Sequence, residues 1–535
     1  MALSIRRSLR PLFALSGLAV LIAASSAPAY RRAIDSSLYA GLKWRLVGPF
    51  RAGRVAAVSG AVGQPGVFYM GLVLGGVWKT TSAGMTWYPI FDSIKDVSSI
   101  GSVEVAPSDP NVIYVGTGST GDGNGIYKST DAGQTWRRLP GFEDSRQIPT
   151  LLVDPKNPKV VLATVVGSRQ PSEHRGVYRS TDGGETWTRT LYVDDNTGVQ
   201  NIAWAFDRPD VILASTMRPT GRGAGAAPAN GNGTRLYKST DEGVTWKELT
   251  GGGLPELQGR LTVAVAMHTN AQRMFFIGPT AIGLWRSDDG GNTWRRMAAG
   301  DARIANGQGN YTSGVFVNSA NPDELYTLAT SAFISRDGGE HFTGFKGAPG
   351  GDDPQVMWVD PTDGKRMMLG YDQGGTISLD DGGSWSTWYN QPTAQIYHIG
   401  VDNSWPYWIY GSQQDACAVA VRYRGELGAV TMLDWYPTPA YENGFVAPDP
   451  LNSNILYMVG STAGIVKVTK PTNQWVDVSP NVDTSLGLRR TGDQPMIFSR
   501  SNPHELLLGF QYLYSTTDGA VNWKRISPDL GAPPA

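Results

Sequence analysis

A single cysteine, Cys417, serves all 535 residues, so no disulfide can form within the chain and its fold is held by non-covalent packing. Cys417 lies in the apolar stretch Ala416–Val421 and reads as a small packed hydrophobe rather than a nucleophile. The five histidines (His174, His268, His341, His398, His504) are scattered without paired ligand spacing. They argue against zinc, and no metal or cofactor is expected. Asp194-Asp195-Asn196-Thr197-Gly198 has the oxygen-rich look of a calcium loop, but such clusters are more often solvated turns. An excess of one charge is missing too. Forty-six basic residues face 47 acidic ones, a net charge of −1, which gives nucleic acid no concentrated basic footprint. No run reaches the roughly 18 apolar residues of a membrane span. No long amphipathic helical period, and no Gly-x-Ser-x-Gly elbow, is present. Gly116–Gly121 matches the dinucleotide glycine spacing, yet a strand pattern follows where a helix N-terminus would be needed.

The first residues do contain one shorter apolar run. Arg6, Arg7 and Arg10 precede Leu12–Ala24, and Ala27-Pro28-Ala29 offers a small-residue cleavage site. Residues 1–29 therefore read as a secretory signal, which predicts a secreted or periplasmic protein with 43 basic and 47 acidic residues left after cleavage. Residues 30–41 read as a linker, 42–527 as the folded body and 528–535 as a disordered tail.

What the chain has in quantity is glycine (66) and tryptophan (17), and their spacing is regular. Ser180-Thr181-Asp182-Gly183-Gly184-Glu185-Thr186-Trp187 returns as Ser129–Trp136, Ser239–Trp246, Ser287–Trp294 and Ser378–Trp385. Degraded copies stand at Thr80–Trp87 (Ser82 for the Asp), Ser335–Phe342 and Thr516–Trp523 (Ala520 for the Gly). Each copy separates two short strand-like runs, so it is a hairpin. The carboxylate can bond the turn's own amides, the glycine permits positive φ, and the tryptophan anchors the returning strand. Trp435 and Trp475 mark two further units without a box, which makes ten units with a period of about 40 to 50 residues. About four strands per unit predicts an all-β protein, a β-propeller of about ten four-stranded blades. Two insertions interrupt the rhythm: Pro219–Gly233 reads as a flap, and Ala298–Tyr311 as a smaller extension. Leu42–Val47 reads as an outer strand that would close the ring.

The boxes resemble the Asp-box (BNR) repeats of sialidase-type, sortilin-type and xyloglucan-hydrolase propellers. The resemblance implies a single ten-bladed ring, as in sortilin-type domains, or seven blades plus three, as in a truncated relative of the two-propeller xyloglucan hydrolases. The single ring is favoured, because three blades cannot close on themselves. Gly48-Pro49-Phe50-Arg51-Ala52-Gly53-Arg54 and Tyr410-Gly411-Ser412-Gln413-Gln414-Asp415 also resemble an exported bacterial group called sortilin-like or glycosyl hydrolases. Sialidases want Phe/Tyr-Arg-Ile-Pro and three clustered arginines. Here Phe50-Arg51 is followed by Ala52-Gly53, and no arginine triad is legible.

In such propellers the boxes join third to fourth strands, so their aspartates are structural and ligands meet the opposite face. On that face the loops expected between second and third strands include Val73–Gly76, Thr117–Asn124, Asp372–Gly375 and Gln413–Asp415, with Gly48–Arg54 and Tyr441–Gly444 beside them. Asp372 and Asp415 would occupy equivalent places on adjacent blades, at about the 6.5–9.5 Å of an inverting carboxylate pair. They are the candidate catalytic residues. Arg51, Arg54, Gln373, Gln413, Gln414, Glu442 and Asn443 are the candidate ligand-binding residues, with Tyr397, Trp405, Trp408 and Tyr441 as stacking surfaces. The xyloglucan-hydrolase pattern places an Asp before Gly-Gly in the first blade. This chain has Val73 there, and the pattern returns as Tyr371-Asp372-Gln373-Gly374-Gly375. Two functions follow: a scaffold binding a glycan, peptide or partner protein, or a glycoside hydrolase acting on a polysaccharide through paired acids.

Overall fold

The computed structural model describes residues 35–219, 233–305, 314–346, 353–460, 464–480 and 493–531. The expected signal segment 1–29, the body of the expected flap, the end of the second extension and the last four residues lie outside them. Met1–Leu46 and Val47–Ala535 form two separate units. The described part of the first carries one turn of 3-10 helix, Ser36–Tyr39, whose first turn is capped by Asp35 accepting from Ser37 N at 2.9 Å. Leu42–Val47 forms no strand. The expected closing strand is therefore absent, and the last blade has its own outer strand, Lys524–Arg525.

The second unit holds ten antiparallel sheets, nine of four strands and one of three, each in chain order. Blade 1 runs Val55–Gly60, Phe68–Leu72, Val77–Thr80 and Tyr88–Pro89; blade 2 runs Ile100–Val105, Ile113–Thr117, Ile126–Ser129 and Arg137–Arg138. The inner strands of blades 3 to 6 are Leu151–Val153, Gly198–Ala205, Thr262–Val265 and Gly314–Val317. Blade 7 has Val356–Asp360, Asp363–Tyr371 and Gly374–Ser378 only. Blades 8, 9 and 10 begin at Ile396–Val401, Val446–Pro448 and Met496–Phe498. Second strands such as Ile113-Tyr114-Val115-Gly116-Thr117 are buried throughout because a neighbouring blade covers each face, which is why they read as continuous rather than alternating apolar runs. The outer pair Arg137–Arg138 is exposed.

The boxes sit between third and fourth strands, as expected. In blade 3 Ser180 donates to Asp182 Oδ1 (2.8 Å) and accepts from Gly184 N (2.8 Å), while Thr186 gives its amide to Asp182 Oδ1 (3.0 Å) and its hydroxyl to Oδ2 (2.6 Å). Those bonds hold the Asp182 carboxyl well below its ordinary range. Two successive residues adopt positive φ, Gly183 at 81° and Gly184 at 91°, which glycine reaches without strain. In blade 1 Ser82 replaces the carboxylate and still accepts from Thr86 N at 3.1 Å.

Closure comes at blade 7. Val55, Val58, Phe68 and Met70 of blade 1 share one core with Met368 and Ile377 of blade 7. Trp358 meets Phe68 edge-on at 5.9 Å. Buried Arg366, paired with Asp360 at 2.7 Å, donates to the carbonyls of Ala61, Gln64, Pro65 and Val67 at 2.8–3.1 Å. The single ten-bladed ring is thereby overturned: the first seven blades close on themselves around a channel of about 570 Å³ lined by their inner strands. Blades 8 to 10 form an arc of three with cores between neighbours. Blade 7 is fastened to blade 1 by an arginine that bonds four carbonyls there, three of which (Ala61, Gln64 and Val67) also accept backbone amides within their own turn. No helix among the described residues is long and apolar enough to cross a membrane.

Candidate functional site

The loops opposite the boxes bring the expected residues together where blade 7 and blade 1 meet blade 8. Three contacts make that junction. Gln413 Nε2 donates to Ala52 O at 2.7 Å, Gly53 N donates to Thr393 Oγ1 at 3.1 Å, and Gln373 Nε2 donates to Asp415 O at 2.7 Å. A Cβ at Gly53 would stand 2.4 Å from Thr393 O, so only glycine lets the chains approach this closely. Arg51 donates to Cys417 O at 3.3 Å, with its guanidinium 3.7 Å from the sulfur. Cys417 thus lies just before the strand Val419–Arg422, half-buried against an arginine rather than packed among hydrophobes.

Asp372 follows the second strand of blade 7, as expected, but its side chain is only 1% exposed. It accepts from Gln355 Nε2 at 2.9 Å and pairs with Arg54 Nε at 3.2 Å, and Arg54 O in turn accepts from Val73 N at 3.3 Å. Blade 1's Val73 and blade 7's Asp372 therefore flank the same arginine. Behind them Lys346 lies 5.6 Å over the Tyr371 ring and 5.5 Å over Trp385, and burial pulls its ammonium down to about 8. Two expectations need correction. Asp372 is closed off from a polymeric ligand by its own ion pair, and Gln413, fully buried, joins the ring to the arc instead of facing outward.

Asp415 is different. It stands on the equivalent hairpin of blade 8 in the left-handed region (φ 56°) and is partly exposed. Gln414 Nε2 donates to both Asp415 Oδ1 (2.8 Å) and Glu442 Oε2 (3.0 Å), and Asp415 N donates to the same Glu442 oxygen at 2.8 Å. Tyr397 OH completes the set through Gln414 Oε1. Asp415 Oδ2 and Asn443 Oδ1 are buried atoms with no hydrogen-bond partner among the described residues. A carboxylate oxygen left without a donor at the end of an otherwise bonded network is an unmet acceptor that calls for an explanation.

Among the stacking candidates, Tyr397 and Tyr441 are exposed on this face. Trp405 lies on the turn between first and second strands of blade 8, which is the box side, and Trp408 packs against Tyr436 at 5.2 Å. Gln355, Gln391 and Thr393 were not singled out from the sequence. Buried Gln391 clamps Gly375, accepting from its N at 3.0 Å and donating to its O at 2.7 Å. The run Gln391-Pro392-Thr393-Ala394-Gln395, three polar residues about a proline between blades, was the available signal. Asp194 accepts from Asn196 N at 2.7 Å and Thr197 Oγ1 at 3.0 Å, the bonds of a turn.

The chain matches known proteins along its length. The family model described as sortilin, neurotensin receptor 3 matches residues 75–223. A xyloglucanase of Acetivibrio thermocellus is 26% identical over 312 residues, covering 50% of this chain and 35% of its own length. A xyloglucanase of Paenibacillus is 24% identical over 433 residues, covering 66% of this chain and 41% of its own length. This chain thus spans less than half the length of these curated relatives. Among solved structures, the Niastella koreensis GH74 enzyme superposes with a TM-score of 0.62 at 16% identity, over 90% of this chain and 74% of that one. The GH74 xyloglucanase from Xanthomonas campestris gives 0.53 at 16% identity, over 92% and 82%. Blades, boxes and matches agree on the fold: the chain is an Asp-box β-propeller, similar over part of its length to sortilin-type and xyloglucanase propellers.

Proposed function

We propose that this propeller works outside the cytoplasm on a polysaccharide, as a glycoside hydrolase, at the rim where the seven-bladed ring meets the arc. Asp415 and Glu442 are the reacting carboxylates, and Asp372 is a positioning residue that holds Arg54. The observation carrying this reading is the shared bond: one amide, Gln414 Nε2, tethers both carboxylates and leaves Asp415 Oδ2 without a partner among the described residues. Two tethered acids on an accessible rim can divide the labour of acid and base that glycosidic cleavage needs. Tyr397, Tyr441 and Asn443 border them and supply stacking and hydrogen-bonding surface for a sugar chain. The sequence relatives are xyloglucanases, which makes a β-glucan-type polymer the first substrate to try.

Val73 favours a second reading, glycan binding without cleavage. It occupies the position where the xyloglucan-hydrolase pattern carries an Asp, and it is buried. The two are separated by incubating the full chain with xyloglucan and measuring reducing ends, alongside affinity electrophoresis in xyloglucan gels. Hydrolysis should appear with the parent, fall at least a hundredfold in Asp415→Asn and Glu442→Gln, and fall less in Asp372→Asn. Retardation in the gel without reducing ends would establish the binding reading. Neither signal with any polysaccharide would overturn both.

A further inference from the structure

The channel through the ring carries a charge that the rim does not use. Of the residues lining its roughly 570 Å³, only Arg54, Arg260 and Glu104 are charged. Arg54 and Arg260 come just before the inner strands Val55–Gly60 and Thr262–Val265, at the rim end, and Arg54 is paired with Asp372. Glu104 is the penultimate residue of Ile100–Val105, so it sits toward the other end. Trp204, penultimate in Gly198–Ala205, and Phe316, third in Gly314–Val317, pack against the cores between blades and line the channel with partly exposed rings. Leu152 and Val58 stand on the inner strands either side of Glu104. No hydrogen bond or ion pair to the Glu104 carboxylate occurs among the described residues. Glu104 is partly exposed to the channel, and desolvation by the ring around it pushes the carboxyl up to about 8, against an ordinary value in the low fours.

We propose that this channel binds a small organic cation, an amine or quaternary ammonium compound, with Glu104 as its counter-ion and Trp204 and Phe316 as its aromatic walls. The volume falls within the about 300–1,000 Å³ typical of small-ligand pockets. A carboxylate and aromatic rings lining one channel attract an ammonium through both the ion pair and the ring quadrupole. Neutral sugars gain from neither.

Choline and its uncharged carbon isostere, dimethylbutanol, test this by titration calorimetry on the full chain at about pH 8. Choline should bind, and the isostere should bind at least tenfold more weakly. Glu104→Gln should weaken choline at least tenfold with an unchanged melting temperature. The parent chain offers a reading that does not depend on that variant folding. At about pH 7 the free carboxyl is largely protonated, so each choline bound should release close to one proton, seen by repeating the titration in buffers of different ionisation enthalpy. Affinity should accordingly rise between about pH 6 and 8 and level off above. Absence of choline binding, equal binding of the isostere, indifference to Glu104→Gln, or binding without proton release would each overturn the proposal.

Discussion

Blades 2 to 6 and blade 8 are built from the same inner-strand pattern, yet they end in different surroundings. Val103, Val263 and Val315, on inner strands of the ring, are at most 5% exposed. On the inner strand of blade 8 every second residue is open: Tyr397 at 40%, Ile399 at 70% and Val401 at 52%. At the far end of the arc Ile497 is 58% exposed, although blade 10 carries a box at Thr516–Trp523. A box therefore makes a hairpin, while covering an inner strand takes a neighbour on each side. The ring has one everywhere because Arg366 and Trp358 bring blade 7 onto blade 1; among the described residues the inner strands of blades 8 and 10 are left open.

The largest way to break that contrast is at the closure. Arg366→Ala leaves the buried Asp360 charge without its ion-pair partner and removes the guanidinium's bonds to blade 1, and should cost about 3–5 kcal/mol, read as a lowered urea midpoint. If the midpoint hardly moves, the ring does not depend on this contact.

Acid comes next. Six ring boxes hold a carboxylate (Asp131, Asp182, Asp241, Asp289, Asp337, Asp380), against Asp518 alone in the arc. Hydrogen bonds from the side chains and amides of Thr135, Thr245 and Thr293 hold Asp131, Asp241 and Asp289 at about 2. Because these values are depressed, the stability they contribute is complete above the ordinary carboxylate value near pH 4 and is lost as pH falls toward 2. Peptide-resolved hydrogen exchange should show ring hairpins losing protection over that window more than the hairpins of blades 8 and 9, which have no box.

A smaller effect sharpens the role of the turn itself. Gly184 has φ 91°, and an added Cβ would lie 2.4 Å from Leu139 Cδ1 of the preceding blade, so Gly184→Ala should destabilise by about 1–2 kcal/mol. In the arc the same turn position is held by Ala520 at φ 68°, and Ala520→Gly should stabilise by about 0.5–1 kcal/mol. Opposite signs in thermal melts are the check. The smallest change belongs to the open face: Ile399→Ser should alter stability by no more than about 0.5 kcal/mol, because the residue already meets water. A loss of several times that would mean something covers the strand in solution.

Hairpins, strand order and the face that bears the boxes were legible because each rests on neighbours in sequence: Ser180, Asp182, Gly184 and Thr186 bond one another within seven residues. The number of blades per ring was not, because Arg366 reaches carbonyls some 300 positions away, and no local pattern announces that. The same distance hid the fate of the candidate acids. Asp372 and Asp415 follow second strands alike, but Arg54, far upstream, buries one and leaves the other. Glu104 reads in sequence as an ordinary strand residue, and only the ring around it makes its carboxylate solitary.

By itself the sequence determined the repeating unit, its turn chemistry and which face the boxes would occupy, since these follow from hydrogen bonds and φ angles within a few residues. Only the tertiary structure decided that seven blades close and three do not, which acid meets solvent, and that a lone carboxylate ends up in the channel. Those outcomes depend on which blade lies beside which, and on how much water that neighbour excludes.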